Sequence, residues 1–478
     1  MSSYLDAADA AVEHALASGA RYADARVMYR RTESMSARNG DVEALDQGES
    51  VGVGVRALVG SSWGFFATPH LDLPAARAAG RQAVEIARAS AHVPGPAAMI
   101  PAEPEVGSWS SECLVDPLSV PLSDKGDLLT AATAEMRKQG ADIATGLYQI
   151  WDTRKWFVSS EGHRIEQHIR ECGGGISATA VGDRETQVRS YPSRRGQYGT
   201  RGWELVTEIG LAAQAARVAD EAQALLRAPQ CLAGETALIL GGEQLALQIH
   251  ESVGHAIELD RILGWEAAYA GTSWLDLAEL GKLRYGSGLM NIVIDATYPG
   301  ALGSFGYDDE GTKAGKHDAV RDGIWTGVLA GRESAAVAGL DYAGSVRSMD
   351  WSGLPIVRMT NVGLEPGPHT LDEIIAATDD GVFMDMNRSW SIDDKRLNFQ
   401  FGCEIGYEVK NGELGRMLKN PTYTGIGPTF WQSMDMLSSE IVAWGTPNCG
   451  KGQPGQIGHT GHPAAPARFQ NVRVGVRG

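Results

Sequence analysis

The chain has 478 residues, with 42 basic and 59 acidic side chains and a net charge of −17 at pH 7. At 43% hydrophobic and 21% charged residues it can bury proper cores, which excludes a disordered or low-complexity protein. The acidity argues against a broad nucleic-acid surface, which needs Lys and Arg to displace counterions from phosphates. The densest basic stretch, Arg194-Arg195 beside Arg201, is a short loop.

No run approaches the ~18–20 apolar residues that span a bilayer. Met1 to Leu5 lacks basic residues, and no apolar signal-peptide core follows. Five cysteines (Cys113, Cys172, Cys231, Cys403 and Cys449) are odd in number and widely scattered. That is not a disulfide framework, and a reducing, cytoplasmic setting is expected.

Residues 1–92 read as an N-terminal α+β unit. A helix over 5–17 ends near Gly19, and a strand meander follows, with a turn at Asn39-Gly40-Asp41. Pro74 starts a helix through Ala89. Residues 93–109 carry four prolines (Pro94, Pro96, Pro101 and Pro104) and read as a linker. Residues 110–230 form a central α+β unit. Its first helix, 124–138, is expected to be capped by Ser123. Strands follow over 142–156, 164–171 and 175–181, with Gly173-Gly174-Gly175 as a flexible connection rather than a phosphate loop, since no Lys-Ser/Thr follows. A long helix is expected over 203–228. Residues 231–478 read as a β-rich domain, in which Gly241-Gly242 turns a short strand into a helix. Turns at Asp322-Gly323 and Asn411-Gly412 mark hairpins. The fold class is α+β and multi-domain, with the candidate metal-binding helix in the β-rich C-terminal domain.

That helix carries His250, Glu251 and His255, spaced H-E-x-x-x-H. In the zinc-peptidase spacing H-E-x-x-H the histidines share one face. An interval of five residues puts them about 140° apart on a regular α-helix. A local i→i+5 hydrogen bond would bring them back together, so a bulge is expected between His250 and His255. Leu245, Ile249, Val253 and Ile257, at i+4 steps, would pack on the core. A catalytic zinc usually takes three protein ligands and one open position. Cys449, in the turn Asn448-Cys449-Gly450-Lys451, stands out as the third donor, with Lys451 expected to lower its pKa. His459 and His462 compete for the role. Against these readings, a His in a helix is more often structural and a lone Cys is more often a plain thiol.

Other clusters read as structural. Asp308-Asp309-Glu310-Gly311 lacks EF-hand spacing and is expected as a solvated turn. His163 and His168 have no accompanying acid motif. No G-x-S-x-G supports a serine hydrolase.

The segments Gly52-Val53-Gly54-Val55-Arg56 with Trp63-Gly64-Phe65, His250-Glu251-Ser252-Val253-Gly254-His255, Arg358-Met359-Thr360-Asn361 and Asn448-Cys449-Gly450-Lys451 occur in this order along the whole chain. Together they resemble the TldD/PmbA metallopeptidases. The intact H-E-x-x-x-H motif resembles the TldD-like, catalytic kind of subunit. The resemblance implies zinc, one per catalytic subunit, held by His250, His255 and Cys449. It implies Glu251 as general base toward water at the metal. It also implies short or unfolded peptide substrates, and a homodimer or a heterodimer with a PmbA/TldE-like partner. A His₂Cys site also accepts cobalt or iron. The peptide is expected to lie as an added strand on the C-terminal domain, with 357–362 as one edge. The rival functions are a metal-dependent hydrolase or lyase acting on a small natural-product precursor, and a non-catalytic partner subunit.

Overall fold

Helix α1 (Ser2–Ala17) leads into two long strands, β1 (Tyr22–Arg38) and β2 (Asp41–Val59), then β3 (Ser62–Thr68) and α2 (Leu73–Ala89). This computed structural model describes residues 2–92, 98–452 and 455–475. The β1–β2 turn needs two residues with positive φ, and Asn39 (55°) and Gly40 (98°) supply them. Asp72 caps α2 by accepting a hydrogen bond from the Ala75 amide at 2.9 Å.

Of the Pro-rich stretch expected as a linker, 93–97 fall outside the described residues. Its end is strand β4 (Val106–Ser110). Helix α3 (Leu122–Lys138), β5 (Ile143–Ser159), β6 (Arg164–Val181), β7 (Thr186–Tyr191) and β8 (Gln197–Gly199) follow. One eight-stranded sheet holds all of β1 to β8, in the order β3-β2-β1-β5-β6-β4 with β7 and β8 also on β6. The strands of the first two units are therefore joined, through antiparallel β1–β5 pairing. Helices α1 and α2 cover the valine-rich faces of β1 and β2, and α3 covers the β5–β6 region.

Three local readings change. Helix α3 starts directly after Pro121, so Ser123 is not its cap; Pro at this point needs no amide partner. Gly173, Gly174 and Gly175 lie inside β6, and only glycine fits there, since a Cβ would fall within 2.0–2.6 Å of backbone atoms of Gln197, Leu147 and Gly196. The helix expected over 203–228 is two, α4 (Glu204–Ile209) and α5 (Leu211–Arg227), broken where Gly210 takes φ 66°; α5 joins α3 in covering the β5–β6 region.

The C-terminal region opens with β9 (Gly234–Leu240) and α6 (Gly242–Ile249). β9 pairs with strands Asp380–Ile392 and Ala467–Val474 in a seven-stranded sheet. Pairing of Asp380–Ile392 with Asn398–Lys410 closes five of its strands into a ring. Asn411-Gly412 and Asp322-Gly323 form the expected hairpin turns. A separate two-stranded hairpin, Val442–Lys451 with Gln456–Ala464, lies against α6.

Two further expectations are corrected. Asp308, Asp309 and Glu310 are not a solvated turn: all are at most 3% exposed. Asp308 accepts from the amides of Glu310, Thr312 and Val346 at 2.9–3.1 Å. Asp309 pairs with Lys155 and Arg26, and Glu310 with Arg56 at 3.1 Å. The cluster thus ties the C-terminal region to β1, β2 and β5. Residues 357–362 are all buried, and Gly461 donates to the Thr360 carbonyl at 3.2 Å, so this segment offers no free edge to a peptide. Among the described residues no helix is long and apolar enough to cross a membrane.

Candidate metal centre

Helix α6 is fixed by its apolar row. Leu245, Ile249, Val253 and Ile257 are fully buried in the largest core, each contributing about 1.5–3 kcal/mol of transfer free energy. After Ile249 the chain widens into a π-turn, His250–Gly254, closed by the His255 amide donating to the His250 carbonyl at 3.1 Å. This is the bulge expected from the i+5 spacing. It brings the two imidazole centroids to 4.8 Å. Gly254 is needed here for space: a Cβ would sit 2.2 Å from the Met359 sulfur.

The hairpin Val442–Lys451 brings Cys449 to this pair. One ligand atom each from His250, His255 and Cys449 lie within 4.8 Å of one another, and all three residues are buried. The Cys449 Sγ is 3.6 Å from His255 Nε2. Tetrahedral coordination with ordinary Zn–S and Zn–N lengths imposes a separation of about 3.6 Å between two such atoms.

The hydrogen bonds behind the rings set their tautomers. His255 Nδ1 lies 2.9 Å from Glu258 Oε2 and donates to it, which leaves the Nε2 lone pair facing Cys449. Burial would raise the Glu258 carboxyl, but Lys451, His255 and Arg261 outweigh it and hold it well below its usual value. It is therefore an ionised acceptor. His462 Nδ1 faces the Val362 carbonyl at 2.9 Å and must donate to it. The His462 Nε2 then accepts from His250 Nδ1 at 2.8 Å, and His250 Nε2 is left with a free lone pair. Burial lowers the pKa of His250, His255 and His462, keeping all three neutral. Burial pushes the Cys449 thiol up, and the Arg358 guanidinium beside it pulls its pKa down.

Lys451 does not act on the thiol as expected. Its ammonium is fully buried and pairs with Asp260 at 2.7 Å and Glu258 at 3.3 Å. The competing tail histidines divide: His462 stands directly behind His250, while His459 turns away to Glu171 and Trp151. Nothing in the residue types at 459 and 462 separated them; only the pairing of the hairpin with the 360–362 segment does.

A cleft of about 300 Å³ opens over the three donors, lined also by Glu251, Arg396, Glu243 and Trp444. Glu251 Oε2 is held by Arg396 at 2.6 Å, an ion pair not legible in the sequence. Glu243, beside Asp385, is pushed up to about 8 by burial and then by that neighbour, so it is protonated at neutral pH.

Comparison with known proteins matches residues 23–87 to PmbA/TldA metallopeptidase domain 1, 115–226 to the central domain and 233–475 to the C-terminal domain. The chain is 28% identical over 454 residues to a metalloprotease of Methanothermobacter thermautotrophicus, covering 95% of each chain. It is 25% identical over 465 residues to a metalloprotease TldD homolog of Haemophilus influenzae, covering 95% of this chain and 92% of that one. It shares the fold of TldE from Thermococcus kodakarensis, with a TM-score of 0.73 at 14% identity over 98% of this chain and 100% of that one.

Proposed function

The chain belongs to the PmbA/TldD metallopeptidase family, and from that premise we propose that it is a zinc-dependent peptidase using His250, His255 and Cys449 as ligands and Glu251 as general base. The observation that carries this reading is the convergence of the three donors within 4.8 Å at the floor of one cleft. The donor set fits the metal. Two imidazole Nε2 atoms freed by hydrogen bonds at Nδ1, plus a thiol beside the Arg358 guanidinium, make a three-ligand set with one position left open.

When bound, zinc supplies a Lewis acid for the scissile carbonyl and lowers the pKa of water toward neutrality. Glu251 then receives the proton of the attacking water and passes it to the leaving amine. Arg396 holds one Glu251 oxygen, so the other is the basic atom. The buried ion pairs of Glu258 with Lys451 and Arg261 keep His255 in one orientation through turnover. The cleft of about 300 Å³ suits a short stretch of peptide rather than a folded protein.

We further propose that the working assembly is a dimer, with a second copy or a TldE-like partner, and that the protein is cytoplasmic. Its five cysteines are all free, as a reducing compartment requires. The test is Glu251→Gln. The variant should keep the wild-type metal content while peptide cleavage falls about 10²–10⁴-fold. Cleavage at the original rate with metal retained would remove Glu251 from the chemistry. Conversion of a small molecule with no peptide cut would favour the rival hydrolase or lyase.

A further inference from the structure

A second cavity, of about 70 Å³, lies between the N-terminal sheet and the far side of the tail hairpin. It shares no lining residue with the metal cleft. Arg30, Lys155, Arg347 and Arg358 line it, against one carboxylate, Glu171.

The charges do not cancel. Lys155 is matched by Asp309, which Arg26 also approaches. Glu171 accepts from His459 Nδ1 at 3.0 Å. Among the described residues Arg30 donates to the Thr153 hydroxyl and the Met349 carbonyl, both at 2.9 Å, with Glu171 and Asp350 among the carboxylates acting on it at longer range. Arg347 donates to the carbonyls of Met359 and His459, and Arg358 to those of Gln456 and Cys449. Neither has a carboxylate among these partners. The Nε of each is buried with no acceptor among the described residues. Arg358 is 2% exposed. Burial, and then the neighbouring Arg358, push the Arg347 guanidinium down to about 10. Glu171 and Asp309 attract Arg347, but burial and Arg358 outweigh them, and four cations line the cavity against one carboxylate, an arrangement that favours a further counter-charge.

We propose that this cavity binds a small oxyanion of the sulfate or phosphate kind between the guanidinium groups of Arg347 and Arg358. A planar guanidinium presents paired N–H donors that match two oxygens of such an ion. The volume admits an ion of a few heavy atoms and no peptide. The site joins the two halves of the molecule, since Arg30 comes from β1 and the other two arginines from the C-terminal region. It also touches the candidate centre, because Arg358 holds the Cys449 carbonyl.

The test is equilibrium dialysis of the full chain against radiolabelled sulfate at fixed ionic strength and pH 7. Saturable binding of one ion per chain is expected in the wild type. Arg347→Gln, with unchanged circular dichroism and metal content, should weaken it roughly tenfold or more. Absence of saturable binding in the wild type, or unchanged binding in the folded variant, would overturn the proposal. Should Arg347→Gln fail to fold, wild-type crystals soaked in selenate decide. An anomalous peak within about 4 Å of both guanidinium groups is expected, and an empty cavity would overturn the site. Binding is read without turnover, so neither result bears on the peptidase reading.

Discussion

Two imidazoles of the candidate centre come from one turn of helix, whereas the thiol arrives from a hairpin 194 residues beyond His255. The helical half is built locally. Its apolar row fixes the direction of the helix, and its i+5 spacing demands the π-turn that is found. The hairpin half is built by tertiary contact. Cys449 is placed by strand pairing with Gly458 and by Arg358, and His462 by the Val362 carbonyl. A local element can carry paired ligands, but the remaining donor and the group that orients the first imidazole depend on the whole domain being folded.

The largest effect should come from the hairpin. Cys449→Ala should reduce metal affinity on the order of a thousandfold while leaving the thermal transition of the metal-free protein nearly unchanged. Competition with a chelating dye reads the affinity. Retained stoichiometric metal would place the third donor elsewhere. The matching perturbation of the helix is Leu245→Ala, which should cost about 2–5 kcal/mol in a denaturant titration, because a fully buried side chain leaves a cavity. A cost under about 1 kcal/mol would show that the helix is not held by this row.

His462→Ala should weaken metal binding about 10–100-fold, since His250 loses the acceptor that fixes its tautomer. His462→Gln should recover part of that loss through its amide oxygen, and equal losses in both variants would deny the orienting role.

The smallest effect concerns Glu243, on the helical half. Its folded carboxyl titrates at about 8, above its unfolded value of 4.5, so the folded state binds the extra proton. Stability from this group is full below pH 4.5 and is lost as pH rises towards 8. The melting temperature should fall between pH 6 and pH 9, and Glu243→Gln should flatten that slope. An identical slope in both proteins would assign the pH dependence to other groups.

Much of this was legible in the residues, and the failures have a common cause. The π-turn followed from the five-residue interval between His250 and His255 and the known geometry of an α-helix. The hairpin turns at Asn39-Gly40 and Asn411-Gly412 followed from residues that tolerate positive φ. Each of these is decided within a few positions. Asp308-Asp309-Glu310 looked like a solvated turn because its counter-charges, Arg26, Arg56 and Lys155, lie more than a hundred residues away in a different sheet. Lys451 looked like a partner of Cys449 because it is near in sequence, yet its ammonium reaches Asp260 and Glu258 instead. The β1–β5 pairing that joins the strands of the first two units was not legible, because its partners lie more than a hundred residues apart. Glu251 was recognisable by motif, whereas Arg396, which grips it, lies 145 residues downstream.

The most direct test of the account is zinc-edge X-ray absorption on the purified protein. One sulfur at about 2.3 Å and two imidazole nitrogens at about 2.0–2.1 Å should surround one zinc per chain, and the sulfur shell should vanish in Cys449→Ala. A first shell without sulfur in the wild type, or one unchanged in the variant, would contradict the convergence of His250, His255 and Cys449 on a single ion.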